Sequence, residues 1–462
     1  MIFIFLGHNP KMIENRIAKQ IESVHPVNLT SATNDALLTY FRNTWELYEN
    51  LFSSIKAPQT YFLSPDPLRN PLIFYWGHTA AFYINKIVMA GLLEKGINPA
   101  YEKLFAMGVD PDLPENLEVT DIWPSVEQVN AYRSEVHAVV SRVIESVTIE
   151  GNINDTSPVW SILMGIEHDR IHFETSSVLI RQLPVHLLAC PNDWNYAHTN
   201  GCPPENITIT MTGGTIRLGK PKSDDLFGWD NEYGNLEVDV APFEATQNLV
   251  SNAEYLEFVL SGSYNNPQYW SPEGQEWKYR VNARHPKFWL RKRSGYAYRA
   301  MFNEIPMPMD WPVEVNAHEA FAYCQWKGDG WRLMTEAEFT LIAKGDTTNT
   351  IPEPMFNSYC NLNMAFGSPT PVGYMNAGRS KDGFNDIYGN VWDWLSNDFY
   401  PLPGFEIHPL YTEFSKPFFD EEHSMLLGGS WATTGTGASQ FYRLWFRRHF
   451  FQHAGFRLAR SL

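Results

Sequence analysis

Cysteine is scarce in this chain. Cys190, Cys202, Cys324 and Cys360 are the only four in 462 residues, and no two form a CxxC or other close pair. This argues against a disulfide-stapled fold or a cysteine-rich metal cluster and predicts reduced thiols in a cytoplasmic protein. Positive charge is also short: 35 Lys and Arg face 52 Asp and Glu, a net charge of −17. A nucleic-acid partner needs a basic face, so none is expected. No run approaches the ~18 apolar residues of a membrane span, and no membrane partner is expected either. The apolar start Met1–Leu6 has no positive flank and is broken by Gly7-His8-Asn9-Pro10. It is too short for a secretion signal and reads as a leader added by start-site choice.

What is present suits a folded protein. Hydrophobic residues make up 44% and charged residues 19% of a chain long enough for two or three domains. From Thr33 to Ile55 the apolar residues Leu37, Leu38, Phe41, Trp45, Tyr48, Leu51 and Phe52 recur at three- and four-residue steps, an amphipathic helix. A second helix starts at Asn70-Pro71 and runs towards Leu93; it is apolar nearly all round and should be buried. Ser125-Val126-Glu127-Gln128 has the capping-box pattern of a third, which continues to Val147. A fourth runs from Ser157-Pro158 to Leu183. Four long helices predict a four-helix bundle, a fold that builds metal sites from facing helices.

The fourth helix carries Glu167-His168-Asp169-Arg170-Ile171-His172-Phe173-Glu174. Histidines four apart share one helical face, and neutral imidazole is a good ligand for zinc, iron, copper or nickel. Two hydrogen-bonded core histidines would give the same pattern. His78, inside the buried second helix, is the third candidate: three nitrogens from two helices would hold a metal and leave positions open. Glu167, Asp169 and Glu174 flank the pair, either as partners for an imidazole N–H or as solvated charges.

Between Ala189 and Pro204 the periodicity stops, which reads as a linker between a domain at 30–196 and one at 205–462. The second half is rich in turns. A short strand is predicted at Ile207–Met211, and helices at Asn252–Leu260 and Ala317–Gln325.

Six ordered pieces of that half resemble the formylglycine-generating-enzyme/sulfatase-modifying domain, a variant of the C-type lectin fold. They are Gly213–Gly219, Glu319–Trp326, Arg332–Glu338, Gly389–Trp394, Gly428–Trp431 and Gly455–Arg457. The first half resembles the DinB-like helical domain. The expected fold class is therefore α + (α+β). The two domains in this order resemble the iron-dependent sulfoxide synthases of thiol-imidazole biosynthesis, and most of all their ovothiol branch, which makes 5-histidylcysteine sulfoxide. Arg69–Ala80, Ile166–Ser177, Met307–Asn316 and Arg447–Arg457 carry that likeness. Many members have a C-terminal methyltransferase domain, which is expected to be missing after Leu462.

The resemblance implies that His78, His168 and His172 hold Fe(II), with cysteine, histidine and O2 as small-molecule substrates. It places Tyr400 as the active-site phenol, with Phe399 the alternative if the alignment slips by one. Arg447 and Arg448 would clamp an amino-acid carboxylate or form structural salt bridges. Asn390 would bind substrate or act as a structural signature. Arg443-Leu444-Trp445-Phe446 departs from both branches: Trp445 is as in the ergothioneine branch, whereas Phe446 is as in the ovothiol branch. An ergothioneine-type synthase, coupling cysteine or γ-glutamylcysteine to trimethylhistidine, is the alternative. Formylglycine generation needs a late cysteine pair, and none follows Cys360. A lectin-like binding module on a helical support is the non-enzymatic reading.

Overall fold

The structure is a computed structural model that describes residues 22–462 except 107, 109, 112–121, 192–193, 345–352 and 355–357. The start Met1–Leu6 and the linker residues Asn192 and Asp193 lie outside the described residues. Among the described residues, no helix is long and apolar enough to cross a membrane, and all four cysteines are free thiols.

The first half is helical: α1 (Asn34–Ser53), α2 (Leu72–Met89), α3 (Pro99–Leu104), α4 (Val126–Ser146) and α5 (Trp160–Gln182). The start signals act as their chemistry dictates. Thr33 caps α1 by accepting from the Ala36 N–H, and Ser125 and Gln128 close a reciprocal capping box on α4. Pro71 sits at the N-cap rather than inside α2. Turns occupy Ser157–Val159, so α5 begins two residues later than its Ser-Pro start suggests. Helix α2 is buried along nearly its whole length, as its unbroken apolar character requires. Buried Arg133 from α4 lies 3.7 Å from the Trp76 ring centroid and donates to the Trp76 carbonyl at 2.9 Å, so the bundle interior holds a cation against an aromatic face.

The second half is a mixed domain of small sheets. One antiparallel sheet orders Thr208–Met211, Phe243–Thr246, Leu458–Ser461 and Arg332–Leu333. A mixed sheet orders Leu444–Arg447, His423–Leu427, Trp392–Asp398 and Ala454–Gly455, the last two parallel. Four helices decorate them: α6 (Asn252–Leu260), α7 (Pro272–Val281), α8 (Ala317–Lys327) and α9 (Glu336–Lys344). Two of these, α7 and α9, are additional to the sequence expectation. Both are ten residues or fewer, too short for a clear 3.6-residue periodicity.

The halves are joined along α5. Glu174 accepts from Trp392 Nε1 at 2.7 Å, Thr433 Oγ1 at 2.8 Å and the Ser430 hydroxyl. Ser177 Oγ lies 2.8 Å from His453 Nε2. Arg181 donates to both Glu314 oxygens, at 2.6 and 2.9 Å. These bonds are buried, so each partner's desolvation is offset only while the domains stay docked.

Candidate metal centre

His78 on α2 and His168 and His172 on α5 offer ligand nitrogens that all lie within 4.8 Å of one another. Among the described residues they form the one group of this kind. The ring centroids are 5.0 Å apart for His78–His168, 4.6 Å for His78–His172 and 4.5 Å for His168–His172.

Each ring is set by its surroundings. His78 Nδ1 lies 2.6 Å from the Phe105 carbonyl. A carbonyl can only accept, so Nδ1 carries the proton and Nε2 keeps its lone pair for a ligand role. Phe82, one turn beyond His78, stacks on His168 at 3.5 Å and 4°. The Nδ1 atoms of His168 and His172 are buried and have no hydrogen-bond partner. Burial lowers the His78 pKa to about 4 against the opposing Phe105 carbonyl. Burial, then the neighbouring imidazoles, takes His168 and His172 well below the ordinary range. Three neutral imidazoles, converging from two helices, are the donor set a divalent transition metal needs. The residues fit such an ion.

The flanking acids turn elsewhere. Glu167 accepts from Tyr40 at 2.6 Å and from the Thr436 N–H at 2.9 Å, and Glu174 makes the domain joint. Tyr83 donates to Asp169 at 3.5 Å. All three are buried. No hydrogen bond joins any of them to an imidazole, and none is a solvated charge.

The remaining sequence candidates are engaged within the second domain or across its border. The Tyr400 hydroxyl donates to Glu336 Oε2 at 2.5 Å, and Arg443 grips the same carboxylate. Its phenol is thus turned towards Glu336 and Arg443 of its own domain. Phe399 stacks on Trp445 at 4.3 Å and 5°, and Trp445 also packs on Phe414 and Phe418. Asn390, at φ 67°, accepts from the Thr370 N–H at 2.9 Å and donates to its carbonyl at 3.2 Å. Its amide pins a left-handed turn, as the structural-signature reading of this residue expects. Arg447 pairs with Asp110 at 2.8 Å and with Glu422. Arg448 pairs with Asp398 at 2.5 Å and Glu273 at 3.0 Å. Both guanidiniums already hold carboxylates of this chain, so of their two readings the geometry carries the salt bridge.

A different tyrosine reaches the cluster. The Tyr411 ring stands edge-on to His168 at 6.0 Å and to Phe82 at 5.1 Å. It comes from the loop between Asp398 and His423 in the second domain. No local spacing marks Tyr411, because its partner His168 lies far away in sequence. Phe82, by contrast, sits four residues after His78, and that spacing was available to find it.

A bundle that presents three imidazoles, covered by a turn-rich second domain, is an architecture suited to a metal ion at a domain border. The chain belongs to the sulfatase-modifying factor enzyme 1-like domain family, which residues 197–462 match, and residues 40–176 match the DinB superfamily. It is 34% identical over 254 residues to hercynine oxygenase of Mycobacterium tuberculosis, covering 52% of this chain and 58% of that protein. Ergothioneine biosynthesis protein 1 of Neurospora crassa is 24% identical over 505 residues, covering 90% of this chain and 57% of that protein. Hercynine oxygenase of Mycolicibacterium thermoresistibile is 29% identical over 435 residues, covering 85% and 88%. The chain spans just over half the length of the first two of these relatives.

Proposed function

We propose that this chain is an Fe(II)- and O2-dependent sulfoxide synthase that joins L-cysteine to the imidazole of L-histidine, giving 5-histidylcysteine sulfoxide. The convergence of His78, His168 and His172 within 4.8 Å, beside a phenol from the other domain, is the observation that carries it. The relatives named hercynine oxygenase support the reaction class.

The overall change balances as thiol plus imidazole C–H plus O2 giving the C–S(O) product and water. Ferrous iron bound by the three histidines would supply one-electron chemistry towards O2 and acidify a sulfur ligand. The chain's own residues do the rest. The Phe105 carbonyl holds His78 in the tautomer that frees Nε2. Phe82 fixes the plane of His168 and excludes water from one side of it. Tyr411, whose ring stands edge-on to His168, would deliver or hold a proton at the reacting groups, the role expected of Tyr400 from sequence.

The acceptor is the finer question. A carboxylate would read a trimethylammonium group, and the stretch Leu444-Trp445-Phe446 offers none. The Phe446 ring lies 5.9 Å from the Arg69 guanidinium and 6.5 Å from Phe450. This apolar strand favours free histidine. The name hercynine oxygenase favours the second reading, with hercynine, which is trimethylhistidine, as acceptor. The test is one aerobic reaction with Fe(II), cysteine, and histidine competing with trimethylhistidine, followed by mass spectrometry. Histidine-derived sulfoxide in excess is the expected result. Trimethylhistidine-derived product in excess would select the second reading, and no coupled product would refute both.

A further inference from the structure

We propose that Lys86 is a positioning residue that pins Tyr411 against the histidine cluster, an inference that rests on the role given to Tyr411 above. His78, Phe82 and Lys86 follow one another at four-residue steps on α2, so they share a face. The first offers a ligand nitrogen, the second stacks on His168, and the third reaches the loop of the other domain. The Lys86 ammonium lies 4.2 Å from the Tyr411 ring centroid and 4.8 Å from that of Phe82. It also donates to the Leu410 carbonyl at 2.5 Å. One cation therefore holds both the ring of Tyr411 and the backbone just before it.

The pin is strong because the ammonium is out of water. Lys86 is 8% exposed, and burial brings its pKa down to about 8 against the favourable field of Glu413. An ammonium has three donors and no tolerance for apolar surroundings without partners. A loop conformation that withdrew the Leu410 carbonyl and the Tyr411 ring would strand that charge, so the charge selects the conformation in which the Tyr411 ring packs against His168. Local bonds alone do not fix the loop in this way. The Leu410 N–H donates to His408 Nδ1 at 3.2 Å and the Tyr411 N–H to the His408 carbonyl at 3.0 Å, which sets a turn but not its docking on α2.

The test compares full-length wild type, Lys86→Met and Lys86→Arg. Amide hydrogen exchange across residues 408–414 is read on metal-free protein. Lys86→Met should speed it by about tenfold or more and Lys86→Arg should keep it within about threefold of wild type, because arginine keeps the charge and donors that methionine lacks. On iron-loaded protein the three should bind equal iron. The ratio of cysteine sulfinate to coupled sulfoxide should rise by about tenfold in Lys86→Met, with KM for cysteine within about twofold and with rescue in Lys86→Arg. Unchanged exchange in Lys86→Met overturns the pin. Faster exchange with an unchanged product ratio overturns the positioning role. If wild type forms no coupled product, the function proposed above falls, and with it the positioning role, while the exchange result still decides whether the pin exists. Should Lys86→Met not fold, Lys86→Gln carries the same comparison.

Discussion

Arg181 and Glu314 form a buried ion pair across the domain joint, and breaking it should loosen the molecule by an amount the structure sets. Arg181 and Glu314 are 2% and 1% exposed. The guanidinium binds both carboxylate oxygens, gives its Nε–H to the Arg299 carbonyl at 2.8 Å, and lies over Phe288 at 3.6 Å. In Arg181→Met the stem still packs on Phe288, so the loss is charge and hydrogen bonds. Glu314 keeps only Tyr298 and His453 as donors. Burial pushes the Glu314 carboxyl up, but Arg181 outweighs it and, with help from His453, takes the pKa from 4.5 to about 2. That gap converts at ~1.36 kcal/mol per pH unit to about 3 kcal/mol. Stranding one ion of a buried pair costs a similar 3–5 kcal/mol or so in other proteins. A depressed carboxyl stabilises above its unfolded value, so the contribution is fully present above about pH 4.5 and is lost as pH falls towards 2. Guanidinium unfolding followed by tryptophan fluorescence should show Arg181→Met weaker by about 3 kcal/mol at pH 7, with the deficit shrinking in acid. The double variant Arg181→Met with Glu314→Leu should recover much of it, because no charge is left stranded. A single variant within about 1 kcal/mol of wild type at pH 7, or a double variant no better than the single, would refute the reasoning.

His78→Ala should remove most bound iron, measured as metal per chain after anaerobic loading and desalting, since two imidazoles on one helix leave the set incomplete. Tyr411→Phe should retain iron yet raise the sulfinate-to-sulfoxide ratio by about tenfold, ~1.4 kcal/mol between two barriers, while Tyr400→Phe leaves the ratio near wild type. The reverse pattern would return the phenol's role to Tyr400. Phe446→Asp should shift the competition between histidine and trimethylhistidine towards the latter by about fivefold or more, read by mass spectrometry; an unchanged ratio would show that this strand does not read the acceptor.

Local chemistry carried most of the first half. Capping signals, proline and three- to four-residue periodicity each act over one turn, so the four long helices and the convergence of His78 with His168 and His172 were legible from the residues alone. The second half was legible chiefly as ordered motifs, because its short helices and strands are held by contacts distant in the chain. The site divides the same way. Spacing along a helix shows which side chains share a face, but not which loop will cover it. Tyr400 looked suitable by its neighbours in sequence, yet Glu336, 64 positions away, claims its hydroxyl. Clamp and salt bridge stayed open for Arg447 and Arg448 because their acids Asp110 and Glu273 lie 337 and 175 positions away.

Helix α5 serves two masters with one screw. Its imidazoles look into the bundle, while Glu174, Ser177 and Arg181 grip the second domain, all within a span of fourteen residues from His168. Each residue added to a helix turns everything beyond it by ~100°. A single insertion after His172 would leave the histidines where they are and swing the three grips away from Trp392, His453 and Glu314. An insertion before His168 would keep imidazoles and grips in register with one another and turn the first part of α5, with Trp160 and Met164, out of place instead. Length within this segment is therefore frozen. Relatives that keep this joint should keep the count from His168 to Arg181 unchanged, a pattern that an alignment of related chains can check directly.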